Sequence, residues 1–177
     1  MQRSIPSLAA GTFVLAGFLV PSAAAQSWEL EELPTRWRLT VERVEPGGSM
    51  QVAGVGAERH LDEHLSLLVR AAGAIEGEDS GYREGLAGVR VAMQPFGDLL
   101  DADLHATYEI GAAGGGGVDA GSGWVHQIST GLLWRASDAV ELSFDLGRMN
   151  TVDRGSFDAS MLGVGVAIDV TRLISRR

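Results

Sequence analysis

The segment WVHQISTG places His126 three residues before Ser129. An imidazole that takes the proton of a serine hydroxyl makes a nucleophile, provided the two lie within hydrogen-bond reach. On a β-strand, side chains alternate between faces, so a spacing of three sends this pair to opposite sides. Without an intervening bulge it does no acyl chemistry. HLDEHL gathers His60, Asp62, Glu63 and His64, the imidazole and carboxylate types that hold divalent metals. Three convergent ligands with supporting hydrogen bonds are not evident in so tight a turn, and no metal is assigned. GGGGV (residues 114–118) is glycine-rich like a phosphate cradle. It has no lysine partner and precedes no helix N-terminus, so it reads as a flexible exposed loop. EGEDSG (76–81) reads as a solvated acidic loop.

Composition removes other classes. The chain has 177 residues, enough for one domain, and no cysteine, which excludes disulfides and thiolate chemistry. All fourteen basic residues are arginine, and the formal charge of −9 speaks against a nucleic-acid partner, which needs a basic surface. Residues 1–25 read as a signal peptide: Arg3, an apolar run from Leu8 to Val20, then Ala23-Ala24-Ala25 before Gln26. A short polar lead follows at 26–35.

The elements that would position any chemistry are strands. VELSFDLGRMN (140–150) alternates Val140, Leu142, Phe144 and Leu146 with Glu141, Ser143, Asp145 and Gly147, a period of two. The same pattern recurs in eight segments, near 36–44, 50–60, 64–75, 83–94, 103–112, 124–135, 139–149 and 158–170. They are separated by turn-forming clusters such as EPGGS, LDE, GGGGVDAGS and TVDRGS. The segment at 50–60 alternates least clearly; its polar face takes Gly54, Gly56 and Glu58.

One face of these strands is apolar. The other mixes very small residues with large charged ones. On a soluble barrel that second face would meet water, and glycine there weakens a strand without a packing reason. Inside a narrow eight-stranded barrel the mixture makes sense, because long side chains cross the lumen only beside Gly, Ala or Ser. The reading is therefore all-β: an eight-stranded antiparallel up-and-down transmembrane β-barrel over 36–177, apolar face outward. Its lumen charge network comprises Arg38, Arg70, Arg90 and Arg135 against Glu42, Glu84, Glu109, Glu141, Asp145 and Asp169, paired because buried charges must be. Trp37 and Trp134 fall near one rim and Trp124 near the other. Arg43, Arg83 and Arg148 have the parity of the outer wall and lie at that second rim.

WRLTVERV, GVRVAMQ, VELSFDLG and MLGVGVAIDV carry a resemblance to the small eight-stranded outer-membrane β-barrels of Gram-negative bacteria, the OmpA/OmpX-like class. The resemblance is architectural and spans roughly residues 36–170; aromatics are only 6%, and the chain ends in TRLISRR. It implies an outer-membrane location, both termini in the periplasm, a monomer, and the barrel assembly machinery as a partner. Outer-membrane lipid and lipopolysaccharide would surround it, with Arg43, Arg83 and Arg148 as lipopolysaccharide contacts, since arginine pairs well with phosphate. The role implied is structural, in the envelope. The lumen is plugged by side chains, a very narrow pore at most. No cofactor and no catalytic residue are expected. Two alternatives stand beside it: a lipid A-modifying outer-membrane enzyme, and a soluble periplasmic barrel binding an apolar ligand among Leu67, Val91, Phe144 and Val166.

Overall fold

The computed structural model describes residues 35–45, 49–77, 79–95, 101–153 and 155–170. The leader at 1–25, all but the last residue of the lead at 26–35, and the TRLISRR tail lie outside these residues. Eight strands occupy the described chain: β1 (Thr35–Glu45), β2 (Met50–His60), β3 (Leu65–Gly77), β4 (Arg83–Met93), β5 (Ala102–Gly114), β6 (Trp124–Ser137), β7 (Val140–Thr151) and β8 (Asp158–Asp169). Each pairs antiparallel with its sequence neighbours, and β1 pairs with β8 from Arg36↔Asp169 to Glu45↔Ser160, which closes the barrel. Closure leaves no unpaired edge.

The strands depart from the alternation pattern only at their ends. β3, β5, β6 and β7 each run two residues further, Thr35 belongs to β1 instead of the lead, and His64, Gln94, Ala139 and Val170 fall outside the strands. Ladder hydrogen bonds continue at the rims after the side-chain alternation has faded. The barrel has two ends. At the base, β1 begins, β8 finishes, and short turns such as Leu61–His64 and Asp138–Ala139 link strands. At the crown lie the described residues of the other connections, among them 79–82, 115–123, 152–153 and 155–157.

Polarity is inverted relative to a water-soluble domain. Val69 is 56% exposed, Ile128 57% and Leu146 61%, whereas Glu58 is 1%, Arg90 4% and Glu109 4%. The apolar side chains form a continuous outer wall, far larger than the scattered patches of soluble monomers. Leu67, Val91 and Phe144 stand on that wall, so the soluble barrel with a Leu/Val interior is overturned. Trp37, Trp124 and Trp134 are also on the outside, each half exposed.

The lumen is not polar throughout, as the alternation had suggested. At the crown it holds an apolar cluster that includes Val44, Met50, Val52, Tyr82, Leu86, Val125, Met149, Phe157 and Met161. Tyr82 and Phe157 come from connections, where no periodicity reports direction. Lower down, glycines make the space that charges occupy. A Cβ on Gly163 would lie 3.0 Å from Glu42 Cγ, and one on Gly165 would lie 2.6 Å from Ser143 Oγ. The GGGGV segment lies at the surface, with Gly115 and Gly117 exposed, and has a defined local structure. Gly115 bridges to Val118, and Gly115, Gly116 and Gly117 all take positive φ, open to glycine at little cost. A Cβ on Gly116 would lie 2.7 Å from the Tyr82 backbone nitrogen.

Candidate functional site

The charged residues that alternation points inward meet inside the barrel in two clusters. The first is centred on Arg70 of β3. Its guanidinium contacts Glu42 at 2.6 Å, Glu84 at 2.8 Å and Glu109 at 3.5 Å, and it donates to Gln127 at 2.7 Å. Tyr82 donates its hydroxyl hydrogen to Glu84 at 2.6 Å, tying this cluster to the apolar crown. The second cluster, nearer the base, is centred on Glu58 of β2. Arg38 and Arg90 contact its Oε2 at 2.6 and 2.7 Å, and Arg38 also reaches Glu141 at 3.0 Å. Arg36 donates to the other oxygen of Glu141 at 2.7 Å, and Arg90 donates Nε–H to Thr107 at 3.1 Å. His105 Nε2 stands 3.1 Å from Asp145.

One residue expected in this network sits apart from it. Arg135 lies at the base rim, its side chain 39% exposed, paired with Asp103 at 2.8 Å and Asp101 at 3.4 Å. Asp169 is buried at the base end of β8, its amide bonded to the Ala139 carbonyl. Alternation pointed weakly to Glu58, and His105 and Gln127 carry the inward parity of Glu109 that it reads. It missed Arg36 and Asp103 as partners; parity alone would have found both, since each precedes an inward residue, Arg38 and His105, by two.

The other candidates separate. His126 and Ser129 lie on opposite sides of the wall: Ser129 is 5% exposed in the lumen, while the ring of His126 is 6.1 Å from that of Tyr108. No register shift falls between them. In HLDEHL, His60 turns inward to Ser66, 2.9 Å away, and His64 stays exposed beside Glu63 at 3.5 Å. Among the described residues no three such side chains converge on a metal position. At the crown rim, Arg43 pairs with Glu45 at 2.7 Å and Arg148 forks onto Asp158, while Arg83 donates to the Tyr82 carbonyl at 2.7 Å.

A cavity of about 600 Å³ reaches from the base rim to Glu58 and Arg90, lined by Arg36, His60, Ser66, Asp103 and Arg135 among others. At the crown, two aspartates staple connections together. Asp119 accepts from the Ser156 hydroxyl at 2.9 Å and from the Gly121 amide at 3.2 Å, and Asp153 accepts from the Ser122 amide at 3.3 Å. These bonds hold both carboxyls below the ordinary range, Asp119 chiefly through Ser156 and Asp153 through Ser122.

No family model and no curated protein sequence matches the chain. Solved structures do. A de novo designed transmembrane β-barrel matches with a TM-score of 0.54 at 12% identity, over 76% of this chain and 93% of that one. Neisserial surface protein A (NspA) matches with a TM-score of 0.55 at 11% identity, over 76% and 95%. The N-terminal β-barrel domain of Pseudomonas aeruginosa OprF matches with a TM-score of 0.50 at 13% identity, over 76% and 95%. At these identities the likeness establishes the fold: the chain shares the closed barrel of these proteins.

Removing one partner of a buried ion pair strands the other. Glu58→Gln leaves Arg38 and Arg90 short of a charge and is expected to cost about 3–5 kcal/mol in urea unfolding of the folded barrel in detergent. Asp158→Asn at the exposed Arg148 pair should leave the midpoint within error, as solvent-exposed pairs do. Equal effects would remove the lumen network as a stabilising element.

The crown staples set a pH dependence. A depressed carboxyl stabilises above its unfolded pKa and ceases to do so as pH falls through its folded one. Amide exchange protection at Gly121, Ser122 and Ser156 should hold from pH 7 to 5 and fall away below pH ~4. Protection retained at pH 2.5 would contradict the staples.

Proposed function

We propose that the chain is an outer-membrane β-barrel of a Gram-negative bacterium with a structural role in the envelope. It is monomeric, performs no catalysis, and conducts through a very narrow path at most. The observation that carries this reading is the inverted polarity. A wall of exposed Leu, Val, Ile and Phe around a lumen of buried Arg and Glu is stable where the surrounding solvent is hydrocarbon. The strand lengths of 11 to 14 residues suffice to cross a bilayer at a tilt. The fold shared with NspA, a neisserial surface protein, and with a designed transmembrane barrel supports it.

In this orientation the crown faces out of the cell and the base opens to the periplasm. Residues 1–25 act as the export signal, and the barrel assembly machinery inserts the mature chain. The rim arginines contact lipopolysaccharide. Arg83 leads, because Arg43 and Arg148 already have carboxylate partners and Arg83 has none among the described residues. The lipid A-modifying alternative finds no support in His126 and Ser129, which face away from each other across the wall.

The test is fractionation followed by electrophoresis of isolated outer membranes, heated and unheated. The protein should pellet with the outer membrane and change mobility on boiling, as a closed barrel resists unheated detergent. Recovery in the soluble periplasmic fraction with one mobility would overturn the reading.

A further inference from the structure

Among the described residues no hydrogen bond or ion pair joins the Arg70 cluster to the Glu58 cluster. Between them lies a cavity of about 30 Å³ lined from both sides, by Arg38, Glu58 and Arg90 and by Glu42, Arg70 and Glu109. That is room for one or two water molecules. Four of these side chains carry a buried atom with no hydrogen-bond partner among the described residues: Arg38 Nη1, Glu42 Oε2, Arg70 Nε and Glu109 Oε1. Arg38, Glu42 and Glu109 are 6%, 6% and 4% exposed.

We propose that this cavity is a binding site for a single ordered water that joins the two clusters. The count of donors and acceptors selects the ligand. Arg38 Nη1 and Arg70 Nε can only donate, and ionised Glu42 and Glu109 can only accept. The occupant must therefore both accept from a guanidinium and donate to two carboxylates, which a water molecule does. A sodium or potassium ion would suit the two carboxylates but offers no acceptor to the guanidinium. A chloride would suit Arg38 and repel both glutamates. An ammonium ion donates and cannot accept. Buried waters in proteins make about three such bonds to otherwise unsatisfied groups, and an orphaned charged group in the lumen would be costly.

The bridge makes one continuous network from Arg36 at the base, through Glu141, Arg38 and the water, to Glu42, Arg70, Glu84 and Tyr82 at the apolar crown. The two clusters then respond to substitution together, although no side chain of one bonds a side chain of the other.

The experiment is a crystal structure of the mature barrel from detergent, at a resolution that shows ordered water, with a second data set from crystals grown in rubidium salt. It answers whether or not the chain resides in an outer membrane. The expected result is one solvent peak within hydrogen-bonding distance of Arg38 Nη1, Glu42 Oε2 and Glu109 Oε1, without anomalous signal in rubidium. Direct contact of Arg38 with Glu42 or Glu109 and no solvent peak would overturn the proposal. So would an anomalous rubidium peak at the site, which would make it a cation site.

Discussion

Arginine side chains only 5–9% exposed must be met on all sides by acceptors, and that requirement organises this barrel. Arg38, Arg70 and Arg90 reach into a lumen too narrow for bulk water. Gly56 stands beside Arg38 and Arg70 in the ladder, Gly88 beside Glu109 and Gly163 beside Glu42, and these bare positions leave the charged side chains room. The glycines that weaken strands in isolation are what admit the charges. The charges in turn account for the closed ladder, since a polar interior of this size needs a continuous wall around it. The apolar outer face is the complement of the same alternation, one residue out of phase.

Alternation made the strands, their order and both faces legible, because a period of two leaves one answer once either face is assigned. It failed where the period fails. β2 reads weakly because Ala53, Ala57, Gly54 and Gly56 differ little across its faces, so Glu58, the hub of the basal cluster, was hard to place. Tyr82 and Phe157 come from connections whose direction no periodicity encodes, and with them the apolar crown escaped notice. The contact between His60 and Ser66 crosses a turn, a geometry that spacing alone does not give. Composition marks GGGGV as a surface loop, but its close approach to Tyr82 is tertiary and not written in composition.

The lumen runs in three zones: an open polar cavity at the base, two charge clusters in the middle, and an apolar cluster at the crown. Each zone has different chemistry to offer. The base is roomy and polar, the middle is tied by directional hydrogen bonds, and the crown is apolar. The crown connections are held both by the Asp119 and Asp153 staples and by Tyr82, Ala120 and Phe157, which pack into the apolar cluster.

The central claim is that the alternation faces lipid outside and charge inside. The chain has no cysteine, so single cysteines along β7 carry nitroxide labels without background. In phospholipid vesicles, labels at Leu142→Cys, Phe144→Cys and Leu146→Cys should collide with oxygen, which concentrates in lipid, and little with a water-soluble nickel chelate. Labels at Ser143→Cys and Asp145→Cys should collide with neither. A period of two in oxygen accessibility is the predicted result. Preferential collision of positions 142, 144 and 146 with the nickel chelate, or no alternation at all, would contradict the account.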